Sequence, residues 1–262
     1  MLLPQQADDA TVQSRFSTLY DQIELHIENF YKDSSPVIPP ATEGALSRYD
    51  TPFLSSPLAA YLEGSPRVTT ILKHVLSYEI TMTAVTPMPG RRGLLPAEIL
   101  SALHEVQIQQ QQQEASGYQG MYRYIHTSAY SLTNSPASPS LAYTHLKQTA
   151  ARFRSSPQSG TSSAVHDSAV QFSRIFSLWA DPKFEEAYRA QHLTEVINTA
   201  VTFAIWLLSH PEQFELRWGD DSSGGNHSLV TVPELVKVTG QGGKILGRGE
   251  EKVLSEVIWR RI

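Results

Sequence analysis

The chain has 262 residues, 40% of them hydrophobic and 18% charged, with a formal net charge of −5. That length suits one large domain or two small ones, and the acidic balance argues against non-specific nucleic-acid binding, which needs a basic face. The absence of cysteine excludes disulfides, thiolate nucleophiles, iron–sulfur clusters and cysteine-ligated zinc.

Residues 1–8 have neither a basic n-region nor an apolar h-region, so they read as a disordered N-terminus and not as a signal peptide. From Asp9 to Lys32, Val12, Phe16, Leu19, Tyr20, Ile23, Ile27, Phe30 and Tyr31 recur at intervals of three and four, one face of an α-helix. Asp8 or Asp9 can cap it, and Asp33-Ser-Ser-Pro36 stops it. Residues 34–41 (SSPVIPPA) read as an extended proline-rich connector. Ser56-Pro57, Ser65-Pro66, Ser138-Pro139 and Asp181-Pro182 each precede an apolar-periodic run. A capping oxygen followed by a residue with no N–H and a preset φ predicts four helix starts, with a simple turn as the alternative at each.

The run after Ser65 places Val68, Ile71, Leu72, Val75, Leu76 and Ile80 on one face and should end near Thr86-Pro87. Pro96 opens another, with Ile99, Leu100, Leu103 and Val106 inward, which runs on into five glutamines, Gln109 to Gln113. Tyr118, Tyr122, Ile125, Ala129 and Leu132 continue the helical spacing. Their tyrosines can line a groove or pack at the edge of the core. Further helices are predicted over Ala142 to Phe153, over Val165 to Trp179, and from Pro182 to Leu208. Residues 155–163 (SSPQSGTSS) form a flexible connector. The stretch from Val196 to Leu208 is the most apolar, but it is about 13 residues long where a bilayer needs about 20. It reads as a buried helix, so no membrane span is expected.

Beyond Pro211 the period changes to two: Phe214, Leu216 and Trp218 alternate with Glu215 and Arg217. Leu229 to Val238 is β-branched and broken by Pro233, and Val253 to Trp259 is β-prone, although it also reads acceptably as helix. The expected fold is mainly α: a multi-helix bundle over residues 9–262 with a small C-terminal antiparallel β element in 213–262.

None of the nine histidines has another at i+3 or i+4, and no His-Glu-x-x-His occurs, so no metal site is predicted. There is no G-x-S-x-G, and His166 and Asp167 are neighbours that point apart on a helix. The glycine-rich run from Gly240 to Gly249 has Lys244 followed by Ile245, not by the Ser or Thr of a phosphate loop, and reads as a turn. No catalytic residue and no cofactor are assigned. His74 and Tyr78, one turn apart on an apolar helix, can form a polar contact in a ligand pocket. A buried histidine satisfied by a backbone carbonyl is the commoner arrangement. With Tyr122, Trp179 and Trp206 they make up the candidate ligand-binding set, the tryptophans reading equally as core anchors.

The blocks RFSTLYDQIELHIENFY (15–31), RVTTILKHVLSYEI (67–80), LLPAEI (94–99), LLSHPEQFELRW (207–218) and LVTVPELVKVTG (229–240) together resemble a family of uncharacterised proteins of filamentous ascomycete fungi. There, similar blocks follow in the same order, often behind a low-complexity or membrane-anchored N-terminal region. The resemblance covers nearly the whole chain and brings no reaction or catalytic motif with it. This chain begins almost directly at the first helix, so the resemblance implies the cytosolic, cytoplasmic part of a tethered architecture without its tether. Two functions follow as expectations. One is a non-catalytic interaction or scaffold module with a protein partner. The other is a small-molecule binding or tailoring protein of fungal secondary metabolism.

Overall fold

A computed structural model describes residues 7–85, 93–116, 141–154, 162–219, 228–240, 246 and 250–262. The first helix, α1 (Asp9–Phe30), is capped by Asp8, whose Oδ1 accepts the Thr11 N–H at 2.7 Å. Its predicted stripe is buried, because residues spaced three and four apart share one helical face. Tyr31 leaves the helix and pairs with Ala180 in an isolated antiparallel bridge. There Asp181 N–H donates to the Phe30 carbonyl and Lys32 N–H to the Trp179 carbonyl, both at 2.8 Å.

Two short helices follow, α2 (Pro40–Leu46) and α3 (Leu58–Gly64). The first was not anticipated. Its start lies inside the stretch read as extended, because a proline in the first turn gives up no needed N–H. Next come α4 (Val68–Ile80), prolonged by a π-turn over Thr81–Val85, and α5 (Ala97–Ser116), which opens directly after Pro96 and carries the glutamine run as helix. The π-turn coincides with two threonines that bond backward. Thr81 Oγ1 donates to the Ser77 carbonyl and Thr83 Oγ1 to the Glu79 carbonyl, each at 2.7 Å, and such bonds bend and loosen a helical ladder. The remaining helices are α6 (Leu141–Arg154), α7 (Ser162–Ile175), a 3-10 turn (Ser177–Trp179) and α8 (Glu186–Leu208).

Helices do begin directly after Ser56-Pro57 and two residues after Ser65-Pro66, but the serines do not cap them. At α3 the cap is Asp50, whose Oδ1 accepts the Leu58 N–H at 2.8 Å. At α4 it is Asp33, whose Oδ1 accepts both the N–H and the hydroxyl of Thr69, while Ser65 Oγ accepts only from Arg67 N–H. Asp181-Pro182 forms a turn, with Asp181 Oδ1 accepting the Lys183 N–H, and α8 begins four residues beyond Pro182. Ser138-Pro139, the predicted helix from Tyr118 to Leu132, the connector over 155–161 and most of the Gly240–Gly249 run lie outside the described residues.

The strands are β1 (Phe214–Arg217), β2 (Ser228–Val232), β3 (Glu234–Lys237), β4 (Lys252–Ser255) and β5 (Ile258–Arg261). They form two antiparallel sheets, ordered β1-β3-β4 and β2-β5. Pro233, unable to donate to a ladder, marks the switch from one sheet to the other. The fold is thus mainly α with a small C-terminal antiparallel β element. α8 packs against α1, α6 and α7, α5 against α6, and α1 against α4, whose other side meets β2. Phe16, Leu19, Ile71, Leu72, Phe176, Leu193 and Ala200 all belong to one continuous apolar core. Among the described residues no helix is long and apolar enough to cross a membrane.

Candidate functional site

His74 and Tyr78 do meet, inside a small aromatic cluster where α4 faces β2 and β5. Their rings stack at 6.4 Å and 17°, with Phe53 and Trp218 packed edge-on against both. Both side chains are buried, His74 completely. His74 Nδ1 lies 2.7 Å from the Val230 carbonyl, which can only accept, so Nδ1 carries the hydrogen. Nε2 of the neutral ring then accepts from the Thr51 hydroxyl at 2.8 Å. Burial lowers the His74 pKa to about 4 against a smaller opposing effect of the Val230 bond. A neutral ring with both nitrogens engaged and no exposed edge has no proton to exchange with a substrate.

The other predicted residues lie elsewhere. Trp179 ends the 3-10 turn beside Phe176, and Trp206 sits near the end of α8 with the Arg15 guanidinium 4.6 Å above its ring. Neither joins the His74 cluster, and Tyr122 falls outside the described residues. Trp218, which the sequence placed in the alternating strand pattern and left out of the candidate set, is the tryptophan that meets His74 and Tyr78.

A charged cluster escaped the sequence reading. It gathers where the start of α1 meets the end of α8 and the β1-β3-β4 sheet. Lys237 pairs with Asp9 at 3.0 Å and with the buried Glu212, and Lys252 pairs with Asp9 at 2.6 Å. The Ala7 N–H donates to His210 Nε2 at 2.9 Å, which puts the imidazole hydrogen on Nδ1, 3.9 Å from Glu212 Oε2. Lys147 Nζ donates to the Pro211 carbonyl, and burial lowers its pKa to about 8. These contacts join segments far apart in the chain, so local spacing gives no sign of them.

A third group joins α1, α7 and α8. His26 and His192 face each other through their Nδ1 atoms at 3.1 Å. Behind them lie the buried Tyr31, Ser173 and Arg189. No set of three or more His, Asp or Glu among the described residues is placed to hold a metal ion.

Two open grooves mark the described surface. One, of about 690 Å³, runs between α5 and α6 and is lined by Ala97, Glu98, Ser101, His145, Arg152 and Phe153 among others. The other, of about 470 Å³, lies along α7 from His166 to Ile175. Neither contains His74, Tyr78, Trp179 or Trp206. No protein-family model, curated protein or solved structure matches the chain.

Proposed function

We propose that the chain is a non-catalytic helical interaction module that recognises a protein partner through the groove between α5 and α6. The observation that favours this over small-molecule chemistry is the closure of the His74–Tyr78 cluster. The pair that suggested a pocket is packed on every side, and both imidazole nitrogens are already bonded. The α5/α6 groove instead is lined by the apolar Ala97 and Phe153 together with the charged Glu98 and Arg152. An apolar anchor flanked by charges suits a polypeptide segment carrying one large apolar residue. The resemblance to the ascomycete family adds no reaction to this reading.

The test is affinity capture from the source organism with the native chain and with Phe153→Asp, each checked for native helicity by circular dichroism. A partner retained by the native chain, lost by the folded variant, and then reconstituted from purified components supports the proposal. Equal capture by both, together with a small molecule that co-purifies in native mass spectrometry, would overturn it.

A further inference from the structure

Tyr31, Ser173, Arg189 and His26 form a buried polar group whose own hydrogen bonds do not close. The bridge between Tyr31 and Ala180 fixes the tyrosine against α7 and α8. The Ser173 hydroxyl and the Arg189 guanidinium act on its hydroxyl as hydrogen-bonding neighbours, although none of these groups reaches a partner with full hydrogen-bond geometry. Ser173 Oγ, Arg189 Nε and His26 Nε2 are likewise buried with no hydrogen-bond partner. His26 and Ser173 have no exposed surface, and Arg189 is only 5% exposed. Buried polar atoms in folded proteins are almost always paired, so four in one place call for a specific explanation.

Charge narrows that explanation. Arg189 cannot lose its proton, and a buried charge is normally matched by an opposite one. Its one well-formed hydrogen bond among the described residues is from Nη1 to the Phe184 carbonyl at 2.7 Å, and it makes no ion pair with a carboxylate among them. Glu186, one turn earlier, is exposed at the rim and faces Arg174 at 3.9 Å. Arg189 also lies in the first turn of α8, where the helix dipole adds positive potential and no side chain caps the free N–H groups. The remaining groups can all donate. Burial pushes the Tyr31 pKa up to about 12, so the phenol keeps its hydrogen. If His192 Nδ1 donates to His26 Nδ1, His26 Nε2 also carries a hydrogen, on a ring whose centroid lies 5.8 Å from that of Tyr31.

The geometry points to a binding site for one small anion, of halide or carboxylate size, held by Arg189 Nε with the hydroxyls of Tyr31 and Ser173 and the imidazole of His26. An anion there would supply the missing countercharge and accept the idle donors together. This goes beyond partner recognition at the α5/α6 groove and does not depend on it.

The test uses bromide, which scatters anomalously. Melting curves of the native chain are taken at constant ionic strength while sodium bromide replaces sodium gluconate, whose anion is too bulky to enter. A saturable rise of roughly 5–10 °C is expected at a hundredfold excess over Kd. Crystals grown in bromide should show an anomalous peak within hydrogen-bonding distance of Arg189 Nε. Arg189→Met should abolish the saturable rise. Should that variant not fold, Ser173→Ala and Tyr31→Phe should each weaken bromide binding about tenfold. A bromide peak at the site with no saturable shift would mean an adventitious ion only. That result, a water molecule in place of bromide, or a saturable shift that persists in the variants would each overturn the assignment.

Discussion

At His74 the sequence showed that Tyr78 would lie alongside and favoured a buried histidine satisfied by a backbone carbonyl, but not which carbonyl. The interval of four placed Tyr78 over His74 on one helical face. The Val230 carbonyl, 156 positions away, and the Thr51 hydroxyl, 23 away, then turned a candidate acid–base pair into a satisfied core histidine. The consequence is a pH dependence of definite sign. The folded His74 pKa is about 4 and that of His26 about 3, both below the usual 6.5, chiefly through burial. The unfolded chain therefore binds more protons than the native one below pH 6.5. The native state keeps its full margin above that pH and loses it as pH falls toward the folded values, by about 1.4 kcal/mol per unit for each histidine. Urea denaturation at pH 5 and pH 7.5 should show this slope. His74→Gln should remove one histidine's share of it, and an unchanged slope would contradict the assignment.

At the scale of elements, the apolar stripes and the starts of α1, α3 and α5 were legible, and the caps of α3 and α4 were not. Stripes follow from local spacing, and α1, α4 and α7 bury the residues their periodicity selects, while α6 buries all of its own but Phe153. Caps can come from any oxygen that folding brings near. Asp33 caps α4 from 36 positions away, and Asp50 serves α3 from eight. Asp33→Ala should therefore destabilise the fold by about 1 kcal/mol, as the loss of an N-cap does, although it lies outside the helix it serves. Denaturant melting would show it, with Ser65→Ala nearly silent. The β2–β5 sheet offers a sharper case. A Cβ at Gly219 would lie 2.5 Å from Cζ2 of Trp259, a ring that pairs across from Val230 above the His74 cluster. Gly219→Ala should cost about 1–3 kcal/mol by overpacking and shift tryptophan emission as Trp259 is displaced. An unshifted spectrum and unchanged stability would show that the ring has room to move.

For the whole molecule, one core unites the helices, and ion pairs tie the β element to it. The sequence showed the change of period near Pro211, which placed the β element. It could not show that Asp9, in the first turn of α1, is the anchor for Lys237 and Lys252, since a charge reveals no distant partner. Asp9→Ala should lower stability by about 1–2 kcal/mol, within the range for hydrogen bonds to charged groups after allowance for the exposure of Lys252. Amide exchange in β3 and β4 should quicken more than in α4, and uniform acceleration would argue that the joint is not local. The same joint bears on how the protein is made. Asp9 is translated well ahead of its lysine 243 positions later. The helix it opens therefore cannot complete this joint until β4 has been made. Its oily stripe must wait in solution or against provisional neighbours, so the nascent chain has a long interval in which a holdase would be of use.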